Sequence, residues 1–266
     1  MNSHNIHIPR PSRFISLEEV DSIAQKFSHA YREHLGEVGF PIDIERFMDW
    51  LEISYCWDNI RESDGANCFA RIDLNRDTTV EINEYYKELF EKRPDVYRIC
   101  IGHESGHLIL KHIDCFSNAD TPRLLSNPEI QYFLHKESWG QYGLSSSEVK
   151  QRKVSFRTSR DELVKNAFIS PKAYNAIKSM EDKFEPEWMF WQAEHFARCI
   201  AIPTDELYIA LERGPLSSGW ASIGRLARIF DVPLGSMRLR LEKLKLIEMD
   251  AEDKPVPVVN MQGSLF

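Results

Sequence analysis

The chain has 266 residues, 42% hydrophobic and 11% aromatic, enough apolar material for one large globular domain or two modest ones. Lys and Arg number 33 against 41 Asp and Glu, and the net charge of −8 argues against a general nucleic-acid binder. Five widely spaced cysteines without a CxxC pair exclude a disulfide framework and a Cys-type zinc knuckle, and no run approaches the roughly 18 apolar residues of a membrane span. With no apolar leader at the start, the expected location is the cytoplasm.

In chain order, residues 1–40 read as a loose arm followed by a helix. Ser16-Leu17-Glu18-Glu19 has the capping-box form and opens that helix over about 17–35. Gly39 and Pro41 break it, and Ile42–Leu51 reads as a second, short helix. Strands are expected at Cys68–Leu74 and Thr78–Asn83, with Asn75-Arg76-Asp77 as the turn. Pro94 suits the start of a helix from Asp95 to about His112. Residues 114–185 lie apart from the main domain pattern: 114–158 lacks any sustained period and reads as an insertion or a mobile lid, and helices are expected near 159–168 and 172–183. Pro186 opens a strongly patterned helix that ends at Pro203, and Thr204 caps another that ends at Gly214-Pro215. A helix, a turn and a helix follow over 219–247, and 250–266, with Pro255-Val256-Pro257, reads as a tail. The domain plan is thus an arm and helix (1–40), a main domain (41–213), a helix pair (214–249) and a tail. The fold class is α+β, mainly helical, with a small sheet beside the central helix.

That helix carries His103-Glu104-Ser105-Gly106-His107. Residues four apart share a helix face, so both imidazoles reach one ion, and Glu104 lies about 100° round the axis. An HExxH helix of this kind binds Zn2+, with the carboxylate as general base of a metallopeptidase. Val96, Cys100, His103, His107 and Leu110 recur at helical spacing, which puts the histidines on the inward face. Gly106 in a helix interior points to a close backbone approach. His112 falls off this face and reads as a surface histidine. The third ligand is sought on the helix after Pro186, whose apolar stripe is Met189, Ala193, Phe196, Ala197 and Ile200, with Glu187 and Glu194 on one side.

Tyr97-Arg98-Ile99-Cys100-Ile101-Gly102 running into HESGH, followed by the stretch WQAEHFARCIAIP (Trp191–Pro203), resembles the ImmA/IrrE family of metallopeptidases. The resemblance covers about 40–113 and 186–247. It implies a zincin-like fold and zinc-dependent endopeptidase activity on an intracellular partner such as a transcriptional repressor. Where the family's liganding glutamate falls this chain has Phe190, and where its Asn falls it has Glu194. The metal set expected is therefore His103, His107 and Glu194, with Glu187 in reserve, and Glu104 is the expected catalytic base. An incomplete site would make the chain a non-catalytic, metal-containing regulator or a toxin-like interaction module instead.

The segment 220–249 holds six basic residues against three acidic ones and resembles a helix-turn-helix, a form that could serve DNA phosphates. The resembled family carries such a pair as part of its fold, so a structural role is the expectation for 220–247.

Overall fold

A computed structural model describes residues 15–36, 40–60, 68–73, 79–112 and 186–258. Helix α1 (Leu17–Leu35) begins at Ser16, whose hydroxyl accepts from the Glu19 amide at 3.2 Å, and ends at Gly36 with φ +85°. Asp43 caps α2 (Ile44–Trp50) in the same way, accepting from the Arg46 amide. Three strands follow: β1 (Ser54–Asp58), β2 (Ala70–Asp73) and β3 (Thr79–Asn83). They form an open sheet in the order β1-β3-β2, with β1 parallel and β2 antiparallel to β3. Arg71 and Glu81 face each other across β2 and β3 and pair through two nitrogens at 2.7 Å, which settles the charge of a Glu81 that is otherwise buried. The expected turn at 75–77 lies outside the described residues. Strand β1 was not expected, because its exposed and half-buried residues do not alternate.

A single 3-10 turn (Glu84–Tyr86) and α3 (Lys87–Lys92) lead to α4 (Pro94–Ile109), the HExxH helix, with proline in its first turn. Every residue from Arg98 to Ile109 is buried, so α4 is a central helix enclosed on all sides rather than one with a single apolar stripe. It packs against α2, α3, β2 and β3, and above all against α5 (Pro186–Ala201). Then come α6 (Thr204–Arg213), α7 (Trp220–Phe230), α8 (Leu234–Lys243) and a hairpin of β4 (Ile247–Met249) and β5 (Pro255–Pro257). The proline run read as the start of a tail is therefore a strand. Thr204, expected as a cap, is the first residue of α6, and its hydroxyl instead accepts from Gln25 and Arg240. The fold is mixed α+β and mainly helical, and no helix among the described residues is long and apolar enough to cross a membrane. The helices expected near 159–168 and 172–183 lie outside the described residues.

Two glycines let α4 and α5 touch. A Cβ on Gly106 would lie 3.1 Å from both the Cα and the carbonyl oxygen of Ala193, and one on Gly102 would lie 3.2 Å from the Ala197 Cβ. Backbone atoms cannot swing aside as a flexible side chain can. Gly106→Ala is therefore expected to destabilise the protein by about 1–3 kcal/mol through overpacking, even though alanine is the better helix former. Gly224, inside α7 with nothing within 4 Å of its Cβ position, is the control. Gly224→Ala should be neutral or stabilise by up to about 1 kcal/mol in urea denaturation. Equal midpoints for the two variants would show that the helices have room to spare.

Candidate metal centre

His103 and His107, one turn apart on α4, turn their Nε2 atoms toward each other at 3.0 Å. Both rings are buried, as is Glu104 between them in sequence. The outer edges of the two rings are held from opposite sides. Nδ1 of His103 lies 3.4 Å from Oε2 of Glu194, an ion-pair distance without hydrogen-bond geometry, and the other oxygen of Glu194 accepts from Arg198 at 2.7 Å. Burial pushes the Glu194 carboxyl up, but the His103 ring and Arg198 outweigh it and hold the group below its ordinary value. Glu194 thus meets the edge of His103 that faces away from the paired Nε2 atoms. The side chain of Glu187 lies outside the described residues, and Phe190 packs against His103 with ring centroids 5.0 Å apart.

Nδ1 of His107 lies 2.8 Å from Nδ1 of His112. His112 was expected on the surface and is instead buried. Helical geometry does not extend that far: α4 ends at Ile109, and Lys111 adopts φ +57°, which turns the chain back toward His107. Burial pushes His112 down to about 4, so the ring is neutral near pH 7. Its Nε2 lies 2.9 Å from Oε1 of Gln192, whose Nε2 donates to the Ile15 carbonyl at 2.6 Å. A four-residue chain of contacts therefore runs from His103 through His107 and His112 to Gln192.

The order of protons along this chain follows from its ends. Gln192 uses its amide NH2 on Ile15, so its oxygen accepts from His112 Nε2–H. Neutral His112 then offers a lone pair at Nδ1, which accepts from His107 Nδ1–H. The Glu194 carboxylate beside His103 makes no hydrogen bond to that ring's Nδ1, so it does not fix the tautomer of His103. The two Nε2 atoms face each other at 3.0 Å, the distance of one shared proton. Two imidazoles one turn apart with facing Nε2 atoms are also a donor set of the kind that a divalent ion with an affinity for imidazole nitrogen takes.

Among the described residues a second group of ligand-type atoms converges at Asp21, His195 and Cys199, all within 4.8 Å of one another and capable of coordinating a metal ion. His195 Nε2 lies 3.5 Å from the Cys199 sulfur. Asp21 already pairs with the buried Arg240 at 2.8 Å, and Arg240 also donates to Ile202 and Thr204, so the group ties α1, α5 and α8 together. Burial pushes the Cys199 thiol up and, with Arg198 and Arg240 nearby, His195 down to about 4. The sequence showed only that His195 and Cys199 share a helix face, and Asp21 is 174 residues away from His195 in the chain.

No known family profile matches the chain. Over 129 residues it is 22% identical to the decapping nuclease RAI1 of Candida albicans, a match covering 45% of this chain and 33% of that protein. The chain thus spans about a third of the length of this relative, and the identity is too low to carry an activity across.

The depressed His195 gives a pH prediction. The unfolded chain takes up a proton near 6.5, whereas folded His195 does so only near 4, so stability falls as pH drops through that window. In metal-free protein His195→Gln removes this contribution. The loss of urea midpoint between pH 7 and about 4.5 should therefore be smaller in the variant. An unchanged loss would mean that His195 is solvated in the folded state.

Proposed function

We propose that the chain is a zinc-dependent endopeptidase of the ImmA/IrrE type, acting on a peptide bond of an intracellular partner such as a repressor. The observation that carries this reading is the pair of buried imidazoles, His103 and His107, whose Nε2 atoms face each other at 3.0 Å on one helix. His103 and His107 would hold the ion, and Glu194 stands behind His103 in the manner of a carboxylate that orients a metal-bound imidazole. When bound, zinc supplies Lewis acidity toward a carbonyl and a more acidic water. Glu104, next to His103 and about 100° round α4, provides the carboxylate that accepts the proton and returns it to the leaving amine. The two rings and this carboxylate are buried, so a peptide reaches them only when the site opens.

The zincin-like layout, a buried HExxH helix beside a small open sheet, supports the same reading. The C-terminal pair α7–α8 with its hairpin has the form of a helix-turn-helix, but its cations are largely used within the molecule. Arg240 pairs with Asp21, Arg238 with Glu242 and Lys243 with Glu18, while Arg225 donates to the Gly214 carbonyl. We assign the pair a structural role. In a gel shift with duplex DNA no saturable, salt-sensitive complex is expected; such a complex would restore the DNA-binding alternative.

One observation favours a non-catalytic reading. Phe190, and not a carboxylate, occupies the position against His103 where the resemblance implies the third ligand. The experiment that separates the two combines zinc content with cleavage of a proteome-derived peptide library, read by mass spectrometry. Wild type should carry stoichiometric zinc and cut, while His103→Ala and His107→Ala should lose most of the metal. Glu104→Gln should keep the zinc and lose cleavage, because the amide cannot accept the proton. Wild-type zinc without cleavage would favour the regulator, and full zinc in the double histidine variant would end the metal reading.

A further inference from the structure

His112 and Gln192 have no place in an HExxH motif, yet both are buried and both point toward it. His112 sits five residues beyond His107, past the end of α4, and Gln192 is on α5, 80 residues further along the chain. Three elements thus meet on the rear edge of one imidazole: the turn after α4, the helix α5, and Ile15 immediately before the α1 cap. A lone buried histidine on a helix is most often a packed core residue. Two features separate this case from that one. Gln192, with its NH2 on Ile15, turns its oxygen to His112 Nε2, and the last link of the chain is the His107 nitrogen opposite the one turned toward His103.

We propose that His112 and Gln192 are positioning residues, a relay of hydrogen bonds that keeps the proton of His107 on Nδ1 and so presents its Nε2 to the metal. This rests on His103 and His107 being the metal ligands. Gln192 cannot accept on its NH2, which is engaged by Ile15, so its oxygen orients His112 with Nε2–H outward and Nδ1 as acceptor. A His107 ring turned to the other tautomer would put a hydrogen where the ion belongs. Among the described residues His107 is reached through side-chain amide and imidazole groups, whereas the Glu194 carboxylate lies 3.4 Å from His103. The His107 side is tied through Gln192 to Ile15, just ahead of α1.

The test measures zinc affinity of the full chain by competition with a chromogenic chelator, together with histidine tautomers in the zinc-free protein by nitrogen-15 NMR. His112→Leu and Gln192→Leu should each weaken zinc about 10- to 100-fold, the range for lost partners of metal-bound histidines. His112→Asn places an amide oxygen near the former Nδ1. This variant should stay within about threefold of wild type, a rescue that a mere packing role would not produce. In the NMR spectrum His107 should carry its proton on Nδ1 in wild type and shift toward Nε2 in His112→Leu. Leucine variants that bind zinc as wild type does, an asparagine variant as weak as the leucine one, or a wild-type His107 protonated on Nε2 would each overturn the proposal. A wild type without stoichiometric zinc would instead remove the metal reading, and this inference with it.

Discussion

The close approach of α4 and α5 is the constraint on which the rest of the molecule depends. Gly102 and Gly106 on one helix meet Ala197 and Ala193 on the other with almost no space for added atoms. At that separation the side chains on either side of the seam are forced together. Glu194, one residue after Ala193, reaches His103, and Gln192, one residue before it, reaches His112. A larger residue at any of the four small positions would move α5 outward and lengthen both contacts at once. Helix packing and site geometry are therefore one variable in this fold.

A helix enclosed as fully as α4 must account for each polar group it buries, because an unpaired buried charge costs several kcal/mol. Arg98 illustrates how this is done. Its guanidinium donates to the Ile42 carbonyl and to the backbone and carboxylate of Asp231, which sits in the left-handed turn between α7 and α8. The helix pair is thereby fastened to the central helix by a charge that would otherwise be stranded. Arg240 fastens the same pair to α1 through Asp21. Much of the apparent basicity of the C-terminal segment is thus internal mortar, and what looks like a surface for phosphates in a list of residues is partly a joint between helices.

The two candidate ligand groups differ in electrostatic setting. Around Asp21, His195 and Cys199 the neighbouring cations are Arg198 and Arg240, which oppose a further positive ion even though the ligand atoms are close enough to hold one. Around His103 and His107 the described neighbours are the Glu194 carboxylate, held below its ordinary pKa, and the imidazole of His112. That setting opposes a positive ion less than the two guanidinium groups do. Arg198 serves both groups: it neutralises Glu194 in part while it raises the potential near His195.

Local chemistry was readable from residues alone wherever a short stretch contains its own partners. The Ser16 capping box, the α1 span, the start of α4 at a proline, the β2–β3 pair and the helix-turn-helix order all lie within that range. So does the pairing of His103 with His107, since four residues on a helix dictate a shared face. Strand β1 was not readable, because its parallel partner β3 is more than twenty residues away and its own pattern lacks alternation. The position of His112 was not readable either, since a wheel drawn past Ile109 assumes a helix that the left-handed Lys111 has already ended. Sequence alone could place Glu194 near α4 but could not say which edge of the His103 imidazole it would meet. Only the packing of α5 on α4 decides that. The residue types that suit a metal were thus set by the sequence, while the neighbours that each imidazole edge meets were decided by contacts between segments far apart in the chain.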